Sequence, residues 1–418
     1  MLVEFTVGNY RSFYEPKTFS MQARGINDIH NPHLATYARK KHLLTSAVYG
    51  ANSSGKSNLV HAIKKMSEII RESVRLNKGD VLSYDPFLLH NNSSKEPTLF
   101  EATFVKDEYQ YRYGFEYTKY KIEREWLFKK KGQGTEKPLF IRNNEGIGVI
   151  EEKFSEGVGL EERTNENRLF LSLCSQLGGE ISTKVIYWFM FDLNTVSGLQ
   201  SQQYTAISNK MFMDKGDESE DAIKLFRKLK LGFHNIYARK DESKKYQEDM
   251  SERAKEFLES LDAIVESEHD LYDDSGEVCG NVKFPFEERE SAGSIKLYEM
   301  SGPIFYTLHR GGVLFIDELD AKMHPLISQE IVRLFNDPKR NPNKAQLIFT
   351  THDTNLLSTR LLRRDQIWFT EKDSQEQTDL YSMMDIQFAD GSKPRNDSNY
   401  EKNYIAGRYG AIPYIIYD

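Results

Sequence analysis

A glycine-rich segment at residues 50–57 constrains the fold of this chain more than any other feature. It reads Gly-Ala-Asn-Ser-Ser-Gly-Lys-Ser and fits the pattern G-x-x-x-x-G-K-[ST] at every position. The apolar residues 46–49 precede it, and residues 59–70 repeat apolar side chains at helical spacing. A chance glycine-rich turn would lack this context. The segment therefore predicts a phosphate-binding loop between a strand and a helix.

The residues of this loop predict how a nucleotide would bind. Its glycines let backbone N–H groups converge on phosphate oxygens at the N-terminus of a helix. We expect Lys56 to place its charge at the β- and γ-phosphates of ATP and Ser57 to offer its hydroxyl to Mg²⁺. The expected nucleotide contacts in this segment are Gly50, Asn52, Ser53, Ser54, Gly55, Lys56, Ser57 and Asn58.

An apolar run that ends in two acids provides independent support. Residues 313–316 read Val-Leu-Phe-Ile and precede Asp317 and Glu318. At the carboxyl end of a parallel strand, Asp317 is expected to hold the Mg²⁺ shell and Glu318 to polarise a water for in-line attack. The alternative is a solvated strand end capped by acids. The helical pattern and second apolar run that follow argue against it.

Two more elements, a strand end and a helix opener, are expected to approach the γ-phosphate. His352 follows the apolar residues 346–349, so it would lie at the same edge of the sheet and could donate a hydrogen bond. Ser291 and Gly293 open a predicted helix, where free N–H groups and the helix dipole favour an anion. Read alone, these are a structural histidine and an N-cap. Their place beside the acidic strand favours a functional reading.

The middle of the chain has a different periodicity. Apolar residues alternate with polar ones over residues 109–117, and a second such row is Ile122, Arg124, Trp126 and Phe128. This pattern predicts an antiparallel β meander with one buried face. A charged segment near residues 241–266 carries an apolar stripe and predicts a solvated helix.

Composition excludes several classes of protein. The net charge of −7 argues against a chain that coats nucleic acid over most of its surface, although a local basic groove stays open. The two cysteines show no metal-binding spacing, which favours a reducing cytoplasm. We find no secretion signal and no run of about 20 apolar residues. We therefore expect a cytoplasmic protein without a membrane segment.

Together, these motifs resemble the ABC-type AAA ATPases of the SMC, RecF and OLD group. The chain looks most similar to the predicted defence ATPases of abortive-infection and restriction-linked loci, the RloA/AbiL kind. Residues 7–13, residues 317–325 and residues 407–413 carry this resemblance. It adds Arg11, in the first of these segments, to the expected nucleotide contacts. It covers both ATPase lobes well and the region between them only generally.

The resemblance implies a fold and an assembly. The fold is α/β, a P-loop NTPase with an ABC-type head, a mostly parallel sheet, an antiparallel β meander and an inserted, mainly helical region. We expect an N-terminal lobe at residues 1–90, the insertion at 91–285 and a C-terminal lobe at 286–418. Two heads would sandwich two ATP molecules, so that Ser291 and Gly293 of one chain act on the nucleotide of the other.

Three functions compete at this stage. The first is a nucleotide-gated antiviral switch that controls a separately encoded effector nuclease. Residues 353–418 are too few for a nuclease domain of about 100 residues after His352. The second is a RecF-like DNA-repair ATPase that binds nucleic acid. The third is a transporter subunit, against which Leu319 and Asp320 argue, because transporters usually continue with Pro-Thr after the glutamate.

Overall fold

The computed structural model describes residues 1–25, 33–198, 202–247, 249–395 and 398–413. Its strands, in chain order, are β1 (Leu2–Gly8), β2 (Lys17–Ser20), β3 (Leu34–Tyr37), β4 (Lys40–Leu43), β5 (Thr45–Gly50), β6 (Thr98–Lys106), β7 (Tyr109–Tyr117), β8 (Ile122–Lys131), β9 (Lys137–Asn143), β10 (Gly146–Val149), β11 (Leu193–Ser197), β12 (Asn235–Arg239), β13 (Ile264–Tyr272), β14 (Val278–Pro285), β15 (Val313–Asp317), β16 (Gln346–Thr350), β17 (Ile367–Lys372) and β18 (Thr378–Ser382).

The α-helices of the same residues are α1 (Lys56–Glu72), α2 (Phe170–Gln176), α3 (Glu180–Tyr187), α4 (Gln202–Asp214), α5 (Asp217–Leu229), α6 (Glu252–Leu261), α7 (Phe286–Arg289), α8 (Ala292–Arg310), α9 (Pro325–Asn336) and α10 (Tyr400–Ile405). None of the helices in the described ranges is long and apolar enough to cross a membrane.

A six-stranded sheet forms the core of the α/β part of the chain. Its strand order is β11-β15-β16-β5-β17-β18, and all neighbours are parallel except the antiparallel pair β17 and β18. Helices α8 and α9 pack apolar side chains on one face, and α1 packs on the other. Because both faces are covered, the central strands β5, β15 and β16 are almost wholly buried. The predicted α/β fold with a mostly parallel sheet is confirmed.

A seven-stranded antiparallel sheet lies on the far side of α1. Its order is β10-β9-β8-β7-β6-β1-β2, so the meander predicted from the sequence pairs with the first two strands of the chain. The side chains of α1 and both sheets form one apolar cluster, which includes Ile63 and Met66 of α1, Tyr117 of β7 and Phe315 of β15. The helix that follows the glycine-rich loop is therefore held from both sides.

The sequence predicts that Ile122, Arg124, Trp126 and Phe128 share the buried face of β8. This prediction is wrong at three of the four positions. Arg124, Trp126 and Phe128 face away from the core, whereas Glu125 and Leu127 are fully buried. A β-bulge between β7 and β8 shifts the register next to Ile122. A slip of one residue transfers the following side chains to the opposite face of a strand.

The charged segment predicted as a helix to residue 266 ends earlier. Helix α6 stops at Leu261, and Ile264 and Val265 begin β13, the central strand of the sheet β12-β13-β14. These β-branched side chains favour a strand once a partner strand is available. Strand β11, from the region predicted as an insertion, pairs with β15 at the edge of the core sheet. The domain boundaries at residues 90 and 285 stay a prediction.

Candidate nucleotide-binding site

Three parallel strands of the core sheet end beside one cavity. Strand β5 ends at Gly50, β15 at Asp317 and β16 at Thr350, all at the carboxyl edge of the sheet. Ligands of open α/β sheets bind at this edge. The cavity has a volume of about 390 Å³ and is lined by Asn52, Ser53, Ser54, Gly55, Lys56, Ser57, Asn58, Glu318 and His352. The fold thus brings the predicted loop together with Glu318 and His352.

The loop requires glycine at two positions. Gly55 has φ +109°, and a Cβ there would collide with the side chain of Thr378. A Cβ at Gly50 would collide with Ser54 and Thr370. Thr378 also donates a hydrogen bond of 2.9 Å to the Ser54 carbonyl. Strands β17 and β18 therefore hold the loop against α1, with no space for a side chain at either glycine.

Lys56 is 5% exposed, and its ammonium lies inside the loop. It donates hydrogen bonds to the carbonyls of Gly50 (2.8 Å) and Ala51 (3.0 Å). Burial lowers its pKa from 10.5 to about 8, and the nearby Asp317 and Glu318 oppose part of that shift. The ammonium remains mostly charged at neutral pH, so it can transfer its hydrogen bonds from carbonyls to phosphate oxygens.

Asp317 accepts two hydrogen bonds on the same carboxylate oxygen. The Ser57 hydroxyl donates over 3.0 Å and the Thr350 hydroxyl over 2.6 Å. Thr350 in turn accepts the backbone N–H of Glu318 at 2.8 Å. Mg²⁺ prefers such hydroxyl and carboxylate oxygens and usually keeps several waters and phosphate oxygens besides. The pair of Ser57 and Asp317 therefore fits the predicted metal site.

Glu318 and His352 face the cavity from two neighbouring strand ends. Glu318 has φ 59°, the left-handed conformation that few residues other than glycine adopt, directly after the buried β15. Such strain is concentrated at functional sites. Burial lowers the pKa of His352, the charge of Lys56 lowers it further, and Asp320, Glu318 and Asp317 oppose the shift. The imidazole is thus neutral at physiological pH and can donate one hydrogen bond.

Of the two remaining predicted contacts, Asn58 lines the cavity and Arg11 does not. Arg11 forms an ion pair with Asp85 at 2.7 Å and is not among the cavity-lining residues. Asn58 lines the cavity and donates a hydrogen bond of 2.8 Å to the Ser12 hydroxyl. The Thr378 hydroxyl reaches the same Ser12 oxygen at 2.7 Å. Nucleotide contact by Arg11 stays a prediction.

Ser291 and Gly293 lie outside the cavity that holds the other predicted residues. Ser291 is exposed and caps α8, and its hydroxyl accepts a hydrogen bond from the Ser294 N–H at 3.1 Å. Gly293 faces the loop after β15. A Cβ at Gly293 would come within 3.4 Å of the Lys322 carbonyl in that loop. These residues are therefore not placed on the nucleotide site of their own chain.

Sequence reasoning left out the side chains that position the loop and Asp317. Thr350 appears in the sequence only as part of a polar cluster at a strand end. Ser12, Thr370 and Thr378 are distant from the loop in sequence, and only the strand order places them beside it. A threonine at the end of the strand next to the acidic strand is the one signal that could have identified Thr350.

A family model described as "AAA domain, putative AbiEii toxin, Type IV TA system" matches residues 46–169 and 201–358. The chain belongs to this family. The matched ranges contain the glycine-rich loop, Ser291, Asp317, Glu318 and His352. This chain is thus an ABC-type AAA ATPase by fold and family, and its closer grouping with the RloA/AbiL kind stays a prediction.

Two solved structures of the recombination mediator protein RecF in the RecFOR pathway, RecF-ATPrS and RecF-ATP, are similar to this AAA ATPase. Their sequence identities are 11% and 12%, and each alignment covers 91% of this chain and 98% or 97% of the RecF chain. Both have a TM-score of 0.33, which is too low to support conclusions about this chain. No curated protein sequence matches the chain.

Proposed function

We propose that this chain is a Mg²⁺-dependent ATPase that works as a dimeric, nucleotide-gated switch. The observation that supports it most is the group formed by Ser57, Asp317 and Thr350 beside Glu318. Ser57 and Asp317 offer oxygens of the kind that Mg²⁺ prefers, and the neighbouring Glu318 carries a carboxylate suited to take a proton from water. Lys56 adds a charge that can move from the loop carbonyls to the phosphates.

Each residue then has a defined part in hydrolysis. Ser57 and Asp317 would hold Mg²⁺, which neutralises charge on the phosphates. Glu318 orients the attacking water and accepts its proton, while Lys56 stabilises the charge of the leaving phosphates. His352 donates a hydrogen bond to the γ-phosphate and loses that partner after hydrolysis. Thr350 positions both Asp317 and the backbone of Glu318.

The position of the helix opener, Ser291, supports dimerisation. Ser291 is exposed and outside the nucleotide cavity of its own chain, so the N-terminus of α8 and its dipole can serve the γ-phosphate of a second chain. ATP would then hold two heads together, and hydrolysis would separate them. In the proposed system this cycle controls a separately encoded effector nuclease during antiviral defence in the cytoplasm. The toxin named in the family description supports a role of this kind.

Turnover of the purified chain as a function of its concentration tests the proposal. Because two chains complete each site, turnover per chain should rise with concentration and then level off. The matched control Lys56→Ala should show no turnover at any concentration. Turnover per chain that stays constant down to nanomolar concentrations would contradict the dimeric mechanism. Strong stimulation by DNA, without any partner protein, would instead favour the RecF-like alternative.

A further inference from the structure

A second cavity lies at the opposite edge of the core sheet from the nucleotide site. It has a volume of about 400 Å³ and is formed by α5, the last turns of α8 and α9, and the loop between α9 and β16. Strands β15 and β16 begin at this edge and end at the nucleotide cavity. The two cavities share no lining residue.

The floor of this second cavity is apolar. Phe305 and Leu308 of α8, Leu225 of α5 and Leu334 of α9 line it, each at most 4% exposed. Pro342 adds a further apolar surface from the loop. Pockets of 300–1,000 Å³ with an apolar lining and a few convergent polar groups are typical sites for small molecules.

The rim is strongly basic. Lys224, Lys228, Lys339 and Arg340 line it, against the single lining carboxylate of Asp221. One face of α5 contributes four of the lining residues. They are Asp221, Lys224, Leu225 and Lys228, which are three or four positions apart and therefore lie on the same side of the helix. A basic rim of this kind stands out on a chain with a net charge of −7.

The nearby carboxylates do not balance these cations. Glu330 is 6% exposed and pairs with Lys228 and with Arg340 (2.6 Å), while Arg333 approaches it to 4.0 Å. Burial alone would raise the pKa of Glu330, but the hydrogen bonds from Lys228 and Arg340 lower it. Within the described part of the chain, no carboxylate lies within 4.0 Å of the Lys339 ammonium. Lys224 pairs with Asp221 at 2.8 Å, and Arg340 also approaches Asp337 to 3.6 Å. Five cations of this surface thus face three carboxylates, and Lys339 pairs with none of them.

We infer that this cavity binds a small organic phosphate, with an apolar or aromatic body on the floor and the phosphate against Lys224, Lys339 and Arg340. The partly enclosed shape and the apolar floor favour a small molecule over a nucleic-acid backbone, which needs an extended basic surface. The two cavities share no lining residue, so binding here can be measured without ATP hydrolysis.

Calorimetric titration with 1-naphthyl phosphate tests the inference, because this probe carries an aromatic body and one phosphate monoester. Titrations use the Lys56→Ala variant, in which the glycine-rich loop lacks the cation that attracts phosphate. We expect one site per chain. The neutral analogue 1-naphthol should bind at least about tenfold more weakly, since it lacks the charge that the rim recognises.

Charge variants on the rim provide the decisive comparison. Lys224→Glu with Lys339→Glu, added to the same background, should weaken binding at least about tenfold. The matched control is Lys184→Glu with Lys240→Glu, two exposed lysines in ion pairs elsewhere on the surface. It should leave affinity unchanged. If the charge reversal unfolds the chain, the milder double variant Lys224→Met with Lys339→Met replaces it. This variant should also weaken binding.

Three outcomes would overturn the inference. One is absence of binding at millimolar probe, and another is an equal loss in the rim and control variants. The third is displacement of the probe by a single-stranded oligonucleotide at a concentration far below that at which an unlabelled phosphate monoester displaces it. That result would make the surface a nucleic-acid site. Failure of ATP hydrolysis in the wild-type chain would leave this test unaffected.

Discussion

Nucleotide affinity should fall as the pH rises above about 8, because Lys56 loses its proton there. Its burial lowers the pKa to about 8, and only the protonated amine can neutralise phosphate charge. At pH 7 about 90% of the free chains carry the charged lysine, and at pH 9.5 about 3% do. If nucleotide binding requires the charge, affinity should be about 30-fold weaker at pH 9.5 than at pH 7.

The assay is a fluorescence titration with a labelled ATP analogue and Mg²⁺ at constant ionic strength between pH 7 and 9.5. Lys56→Arg is the matched control, because its guanidinium stays charged over this range and should give a flat pH profile. A wild-type affinity that changes by less than twofold between pH 7 and 9.5 would refute the assignment of Lys56.

Unfolding does not explain the expected loss. The pKa of Lys56 is lower in the folded chain than the ordinary value of 10.5, so the unfolded chain binds more protons between pH 8 and 10.5. The contribution of this group to the free energy of unfolding therefore increases with pH in that window. Circular dichroism at each pH checks that the fold persists.

Three further predictions concern the same machinery. Lys56→Ala should abolish nucleotide binding or turnover, since no other cation in the loop can replace its charge, and equilibrium binding with a turnover assay checks this. Ser291→Arg should leave ATP binding by the isolated chain nearly intact while turnover collapses, and mixing it with Lys56→Ala chains should restore at most one working site per dimer. The purified chain alone should not cleave DNA or RNA, and metal-dependent cleavage that survives substitution of Asp317 and Glu318 would contradict this.

Local patterns were sufficient to predict the elements that carry the nucleotide site. Residues 313–316 form a buried parallel strand, and the loop at residues 50–57 precedes a helix, because periodicity and glycine positions reflect local backbone physics. Asp317, Glu318 and His352 could be placed at one edge because parallel strands end together. Their roles in binding and chemistry stay predictions.

The errors and omissions arise from contacts between distant segments. The bulge beside Ile122 shifts the facing of β8 by one residue, and no local pattern specifies it. Ile264 and Val265 fit a helical stripe in sequence but pair with β12 in the fold. Thr378, which supports the loop from the edge strand, follows it by more than 300 residues in sequence. Such partners depend on strand order, which periodicity does not encode.

Turnover and native mass of Glu318→Gln at saturating ATP·Mg²⁺ test the ABC-type mechanism most directly. The amide keeps the size of the side chain but cannot accept a proton from the attacking water, a contribution typically worth about 10²–10⁴-fold in rate. In the proposed mechanism Asp317 and Ser57 would still hold the Mg²⁺ shell of this variant. ATP should therefore bind normally, and the variant should accumulate as an ATP-bound dimer, unlike Lys56→Ala. Turnover within a few-fold of wild type, or a monomeric mass with ATP bound, would contradict the mechanism.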